Sequence, residues 1–189
     1  ALARAGVPIS VASGSSMGAV LGGFYSIGYT PQQLRAIAAT QDWTALLGDR
    51  SDRQMLVPDR RVVGSRTVIS FPVRGGRVTL PSGVVRGDAI MRLLGRITWR
   101  AQPVRDFTQL PLPFAAVATD VETGEAVVLT SGVLAQAMRA SMAITGVIQP
   151  IRLNGRLLMD GAVARNLPAQ DARTLGADIL ICSDVSGPL

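Results

Sequence analysis

Three short apolar runs, Val7–Ala12, Phe114–Thr119 and Asp178–Asp184, punctuate the chain and are separated by stretches with helical periodicity. Runs of this length, rich in β-branched residues, read as buried strands. Strands that alternate with helices bury both of their faces most readily in a mainly parallel sheet flanked by helices on either side. The expected fold is therefore α/β, one domain over residues 1–189, with 48% apolar residues available for its core. Aromatics are only 4%, so Val, Leu, Ile and Ala must supply that core.

The turn chemistry places the remaining elements. Ala1–Gly6 reads as the end of a helix stopped by Gly6, and Ala19–Ile27 as a helix closed by Gly28. Thr30 is an N-cap ahead of Pro31, opening a helix that runs to about Asp42. Residues 43–65 are polar with no clear period. Arg74-Gly75-Gly76 signals a hairpin between Val68–Phe71 and Arg77–Leu80. Further helices are expected over Gly87–Ile97 and Val133–Met142, and from Pro168 to near Gly176. Gly124 turns the chain into a strand at Glu125–Leu129, and Asn154-Gly155 joins strands at Ile148–Leu153 and Leu157–Asp160.

Charge and residue absences exclude several chemistries. The net charge is +6, and every cationic side chain is Arg. The arginines are spread along the sequence without interleaved aromatics, which argues against nucleic acid. A solvated surface and attraction to anionic lipid or phosphate remain. The single cysteine, Cys182, forms no internal disulfide and sits in an apolar run, where it reads as a small buried hydrophobe. The chain contains no histidine. Ser-His-Asp and Cys-His mechanisms are thereby removed, together with the commonest metal ligand.

Gly14-Ser15-Ser16-Met17-Gly18 fits the pattern G-x-S-x-G between an apolar run and a helix. A nucleophile at the tip of a sharp strand-to-helix turn needs an unusual backbone conformation. Small residues are expected two before and two after it, because strand and helix pass so close. Ser16 is centred between the glycines, whereas Ser13 and Ser15 are not. The helix N-terminus favours developing negative charge, and the Met17 amide is a candidate donor to it. Serine needs a base. With no His and no Lys in the chain, that base is a carboxylate. Asp160 ends an apolar strand and precedes Gly161, at the sheet edge where α/β sites lie. Position alone reads it equally well as a turn aspartate, with Asp184 and then Asp120 as alternatives. An acyl substrate would need an apolar groove beside Ser16, with expected walls from Met17, the 86–97 helix and Met142–Ile148.

Taken together, three stretches resemble the patatin-like phospholipases. They are Ala5-Gly6-Val7-Pro8-Ile9 through Gly14-Ser15-Ser16-Met17-Gly18-Ala19 to Gly28-Tyr29; Arg139-Ala140-Ser141-Met142; and Met159-Asp160-Gly161-Ala162-Val163 through Asn166-Leu167-Pro168 to Leu175-Gly176-Ala177-Asp178. The resemblance implies a three-layer fold and a Ser–Asp dyad. In that dyad Ser16 is the nucleophile and Asp160 the proton acceptor, within Gly14/Gly18 and Gly161/Ala162 motifs, and lipid esters are hydrolysed without metal or cofactor. The implied partners are phospholipid or another lipid ester and a membrane surface. Leu80-Pro81-Ser82-Gly83 and Phe114–Gly124 look like bacterial members, some of them passengers of outer-membrane two-part autotransporters. That likeness points to export or the outer membrane, although the sequence itself leaves localisation unknown. Thr145 stands where the resemblance expects proline and Ile148 where it expects an aromatic. The family's first strand and glycine-rich oxyanion loop are expected upstream of Ala1. Without them, the competing reading is a non-catalytic lipid- or partner-binding relative.

Overall fold

The computed structural model describes residues 2–48, 73–74, 77–78 and 85–184. In chain order these hold β1 (Ala12–Ser15), α1 (Met17–Ser26), α2 (Pro31–Thr40), α3 (Trp43–Gly48), β2 (Val73–Arg74), β3 (Arg77–Val78), α4 (Asp88–Ile97), β4 (Phe114–Asp120), β5 (Ala126–Leu129), α5 (Leu134–Ser141), β6 (Ile151–Leu153), β7 (Arg156–Asp160), α6 (Ala162–Arg165) and α7 (Ala169–Thr174). Short 3-10 turns lie at Leu2–Ala5, Trp99–Ala101 and Phe107–Gln109. β2 and β3 form the hairpin expected around Arg74-Gly75-Gly76, with Arg74 opposite Arg77. The Val68–Phe71 strand expectation lies outside the described residues.

β4 organises the sheet. All seven of its residues are buried, and it pairs with three strands. β5 is antiparallel to it from Ala116↔Leu129 to Thr119↔Ala126. β1 is parallel, from Ala12↔Phe114 to Ser15↔Val117. β7 is antiparallel, from Ala118↔Asp160 to Asp120↔Leu158. A strand has two edges, and β5 overlaps both other partners in register, so β1 and β7 must share the opposite edge in tandem. Because β1 runs with β4 and β7 runs against it, their carboxyl ends meet head-on. Ser15 stops opposite Val117, and Asp160 arrives opposite Ala118.

Side-chain alternation along β4 assigns its two faces. Phe114, Ala116 and Ala118 join a core with Ala19, Val20 and Phe24 of α1 and Ala137 and Met138 of α5. Close approach is built into this layer, since Gly22 lies against the Phe114 ring and Gly23 against Met138. On the other face, the Ala164 N–H of α6 donates to Thr119 Oγ1 at 3.2 Å. Helices therefore cover both sides, as the alternation of elements requires.

The pairing is mixed, which corrects the expectation of a mainly parallel sheet. Among the named strands only β1–β4 is parallel. The reason lies in the turns. β4–β5 and β6–β7 are joined by connections too short for a crossover, and short connections enforce antiparallel pairing. At Asn154-Gly155, φ values of 51° and 80° give the left-handed pair that such hairpins need.

Two strand expectations are also corrected. The first run forms a strand only from Ala12, and Val7 is 39% exposed. Its partner sets this limit. Pro111 and Pro113 precede β4, and Ala12 N–H reaches Pro113 O at 2.9 Å as the first rung. Residues 178–184 form no strand; Ile179 and Ile181 are exposed, and so is Cys182, which is not the buried hydrophobe expected. β-propensity is realised only against a neighbour, and no described strand pairs with this segment. The helix expectations hold more closely. Thr30 and Gln33 close a reciprocal capping box on α2. α3, inside the stretch read as aperiodic, was not anticipated.

Candidate active site

Ser16 occupies the turn between β1 and α1 with φ 54° and ψ −123°, the strained backbone expected of a side chain lifted out of a sheet. A Cβ at Gly14 would collide with the backbone of Gly18 and Ala19, so the close passage of strand and helix requires glycine there. Gly18 differs from the expectation: a Cβ on it would meet nothing within 4 Å. The crowding is therefore one-sided. Helix α1 starts immediately after Ser16, whose carbonyl accepts from Ala19 N–H at 3.0 Å and Val20 N–H at 3.2 Å. The Met17 and Gly18 amides have no acceptor among the described residues.

The head-on meeting of β1 and β7 brings Ser16 to Asp160. Ser16 Oγ donates to Asp160 Oδ2 at 2.6 Å, and Ala162 N–H donates to Asp160 Oδ1 at 2.8 Å. The carboxylate is buried, with both oxygens engaged. Gly161 fits because a Cβ there would strike the Val117 carbonyl of β4. The other candidates lie elsewhere. Asp120 accepts from Glu122 N–H at 2.9 Å and faces Arg156 at 3.8 Å, and Asp184 is exposed in the irregular 177–184 segment. Ser13 and Ser15 are tethers: their hydroxyls donate to the carbonyls of Pro168 at 2.7 Å and Arg165 at 2.6 Å, fastening β1 to the chain around α6 and α7.

Ser141, in the Arg139-Ala140-Ser141-Met142 stretch, has a place in the site that its sequence position did not reveal. It is fully buried at the end of α5. Its Oγ accepts from the strained Ser16 N–H at 2.9 Å and donates to Val117 O at 2.5 Å. Its carbonyl accepts from Gly161 N–H at 3.1 Å. One residue thus ties the serine turn, the central strand and the Asp160–Gly161 turn together. The available signal was a serine following Ala137, Met138 and Ala140 at the end of a helix. Its neighbour Arg139 is 3% exposed and donates to the carbonyls of Arg86 at 2.7 Å and Gln149 at 2.8 Å, tying α5 to the two segments that pair at Val85 and Ile148.

An apolar groove of 260 Å³ starts at Met17 and is lined by Val20, Leu21, Phe24, Leu34, Ile37, Ala38 and Trp43. Met17 is the one expected wall that is present. The 86–97 helix and Met142–Ile148 do not line this groove; instead α2 and α3 close it.

The chain matches the patatin-like phospholipase family over residues 1–173. It is 32% identical over 187 residues to an uncharacterized NTE family protein of Mycobacterium tuberculosis, covering 99% of this chain and 44% of that protein. Patatin-like phospholipase domain-containing protein 7 of Rattus norvegicus is 29% identical over 189 residues, covering 98% of this chain and 12% of its own length. Patatin-like phospholipase domain-containing protein 6 of Homo sapiens is 30% identical over 191 residues, with the same two coverages. The chain thus spans less than half the length of these relatives.

Proposed function

This chain belongs to the patatin-like phospholipase family, and on that premise we propose that it hydrolyses lipid esters through Ser16 and Asp160. The observation that carries the reading is the 2.6 Å hydrogen bond between the two, made by a serine on a strained turn at a helix N-terminus. As Ser16 Oγ attacks the ester carbonyl, its proton passes to Asp160 Oδ2. Asp160 returns the proton to the departing alcohol, leaving an acyl-serine. A water then gives a proton to Asp160 and attacks that ester, and the proton returns to Ser16 as the fatty acid leaves. The Ala162 N–H on Oδ1 keeps Oδ2 aimed at the hydroxyl. The Met17 amide, without an acceptor among the described residues, is one donor to the oxyanion. The groove from Met17 to Phe24 receives the acyl chain, since it offers a water-poor wall starting beside the nucleophile.

The reading is tested by fluorophosphonate labelling with the modified residue located by mass spectrometry, alongside ester hydrolysis. Label is expected on Ser16 and absent in Ser16→Ala. Asp160→Asn keeps the shape but cannot accept the proton, and is expected to lower the rate by about 10²–10⁴-fold. Full activity in Asp160→Asn, or labelling at another serine, would remove the dyad.

A further inference from the structure

Helix α4 and the turn that follows it present a basic face with an exposed tryptophan. Ile90, Leu93 and Leu94 are buried against the body of the protein, while Arg92 and Arg96 stand on the opposite, exposed side. Arg100, also exposed, follows on the Trp99–Ala101 turn. Trp99 is 61% exposed, and the Arg100 guanidinium stacks over its ring at 5.6 Å from the centroid. Between Arg86 and Arg105 the sequence carries five arginines and one acid, Asp88. The salt bridges among the described residues, Arg156–Asp120 and Arg165–Asp171, engage none of Arg92, Arg96 and Arg100. Arginines that look dispersed in the sequence are thus gathered on one face by the helical period.

Two observations suit this face to a lipid surface. A large exposed aromatic is an apolar liability in water but a stable anchor at headgroup depth. Guanidinium groups without acidic partners among the described residues match lipid phosphates in charge and geometry. Among the described residues no helix is long and apolar enough to cross a membrane. α4 packs on α3, which contributes Trp43 to the groove, so the helix that carries the basic face adjoins an element of the groove wall.

We propose that Arg92, Arg96 and Arg100, with Trp99 as the inserting side chain, form a docking surface for anionic phospholipid bilayers. The choice of a lipid surface over an acidic protein rests on the hydrolase reading above; the charge and exposure of the face do not. The test is sedimentation of the purified protein with vesicles of phosphatidylcholine containing about 30% phosphatidylglycerol, against phosphatidylcholine alone, at about 50 and 500 mM salt. Ser16→Ala is expected to bind the anionic vesicles as the parent does, which separates docking from chemistry. The triple variant Arg92→Gln, Arg96→Gln, Arg100→Gln is expected to bind them about a hundredfold more weakly, while keeping the parent's rate on a soluble short-chain ester. Trp99→Ala is expected to weaken binding with the salt dependence retained. If the soluble ester is not hydrolysed at all but anionic vesicles bind, docking stands and the hydrolase reading falls. Equal binding to both vesicle types, unchanged binding by the triple variant, or tighter binding to a soluble acidic polymer than to vesicles would overturn the proposal.

Discussion

Replacing Ser141 by alanine tests whether the turn that carries Ser16 is held from outside itself. The substitution removes an acceptor for the Ser16 N–H and a donor to the Val117 carbonyl, with bonds of 2.9 and 2.5 Å in a fully buried position. Each group left without a partner costs about 1–3 kcal/mol. Part of that is offset if the Ser16 backbone relaxes from its strained φ and ψ, where strain of about 1–3 kcal/mol is stored. A net loss of about 2–4 kcal/mol follows, or about 5–15 °C in Tm for a chain of this size. Relaxation also moves Oγ away from Asp160. A displacement near 1 Å costs about 10²-fold, so kcat is expected to fall by about 10–100-fold, with KM for a soluble ester little changed. The measurements are thermal melts and steady-state kinetics on Ser141→Ala, with Ser13→Ala as control. The control removes one tether of the same strand, to Pro168, and is expected to lose about 1 kcal/mol of stability with kcat retained. A Ser141→Ala protein with parental Tm and kcat would refute the reasoning.

Other substitutions probe the geometry separately. Gly14→Ala forces a Cβ into the Gly18 backbone and is expected to abolish stable folding or activity, whereas Gly18→Ala meets open space and is expected to gain up to about 1 kcal/mol from helix propensity; melting curves of the pair decide this. Gly161→Ala places a Cβ on the Val117 carbonyl and is expected to cost about 2–3 kcal/mol in a denaturant titration, together with loss of ester hydrolysis. Leu21→Trp fills the groove, whose Met17–Phe24 wall runs about 10 Å along α1. The expected result is a fall of about tenfold or more in kcat/KM for long-chain esters relative to acetate esters, and an unchanged ratio would disconnect the groove from the acyl chain.

Much of the local structure was legible because it depends on short-range chemistry. Thr30-Pro31 with Gln33 specifies a capped helix start, and Asn154-Gly155 specifies a tight hairpin. Ser16 stood out by its place between two glycines, whereas position alone left Asp160 open against Asp184 and Asp120 and only the family resemblance pointed to it; the hydrogen bond between the two side chains is a tertiary fact. What the sequence misjudged are properties of partners. Whether Val7–Ala12 or Asp178–Asp184 is a strand depends on which neighbour is there to receive its hydrogen bonds. The proline-bounded start of β4 decided the first, and no described strand pairs with the second. The sign of the sheet pairing followed from how β4 divides one edge between β1 and β7, which no local pattern records. That division placed the serine turn against the aspartate. It also left the Val117 carbonyl at the junction to be satisfied by Ser141, a role that arises only when three elements distant in sequence are packed together. By itself, then, the sequence determined which side chains were available for chemistry and which turns the backbone takes. Tertiary structure decided which edges pair and which carbonyl needs a hydroxyl, because both are relations between segments that only folding brings into contact.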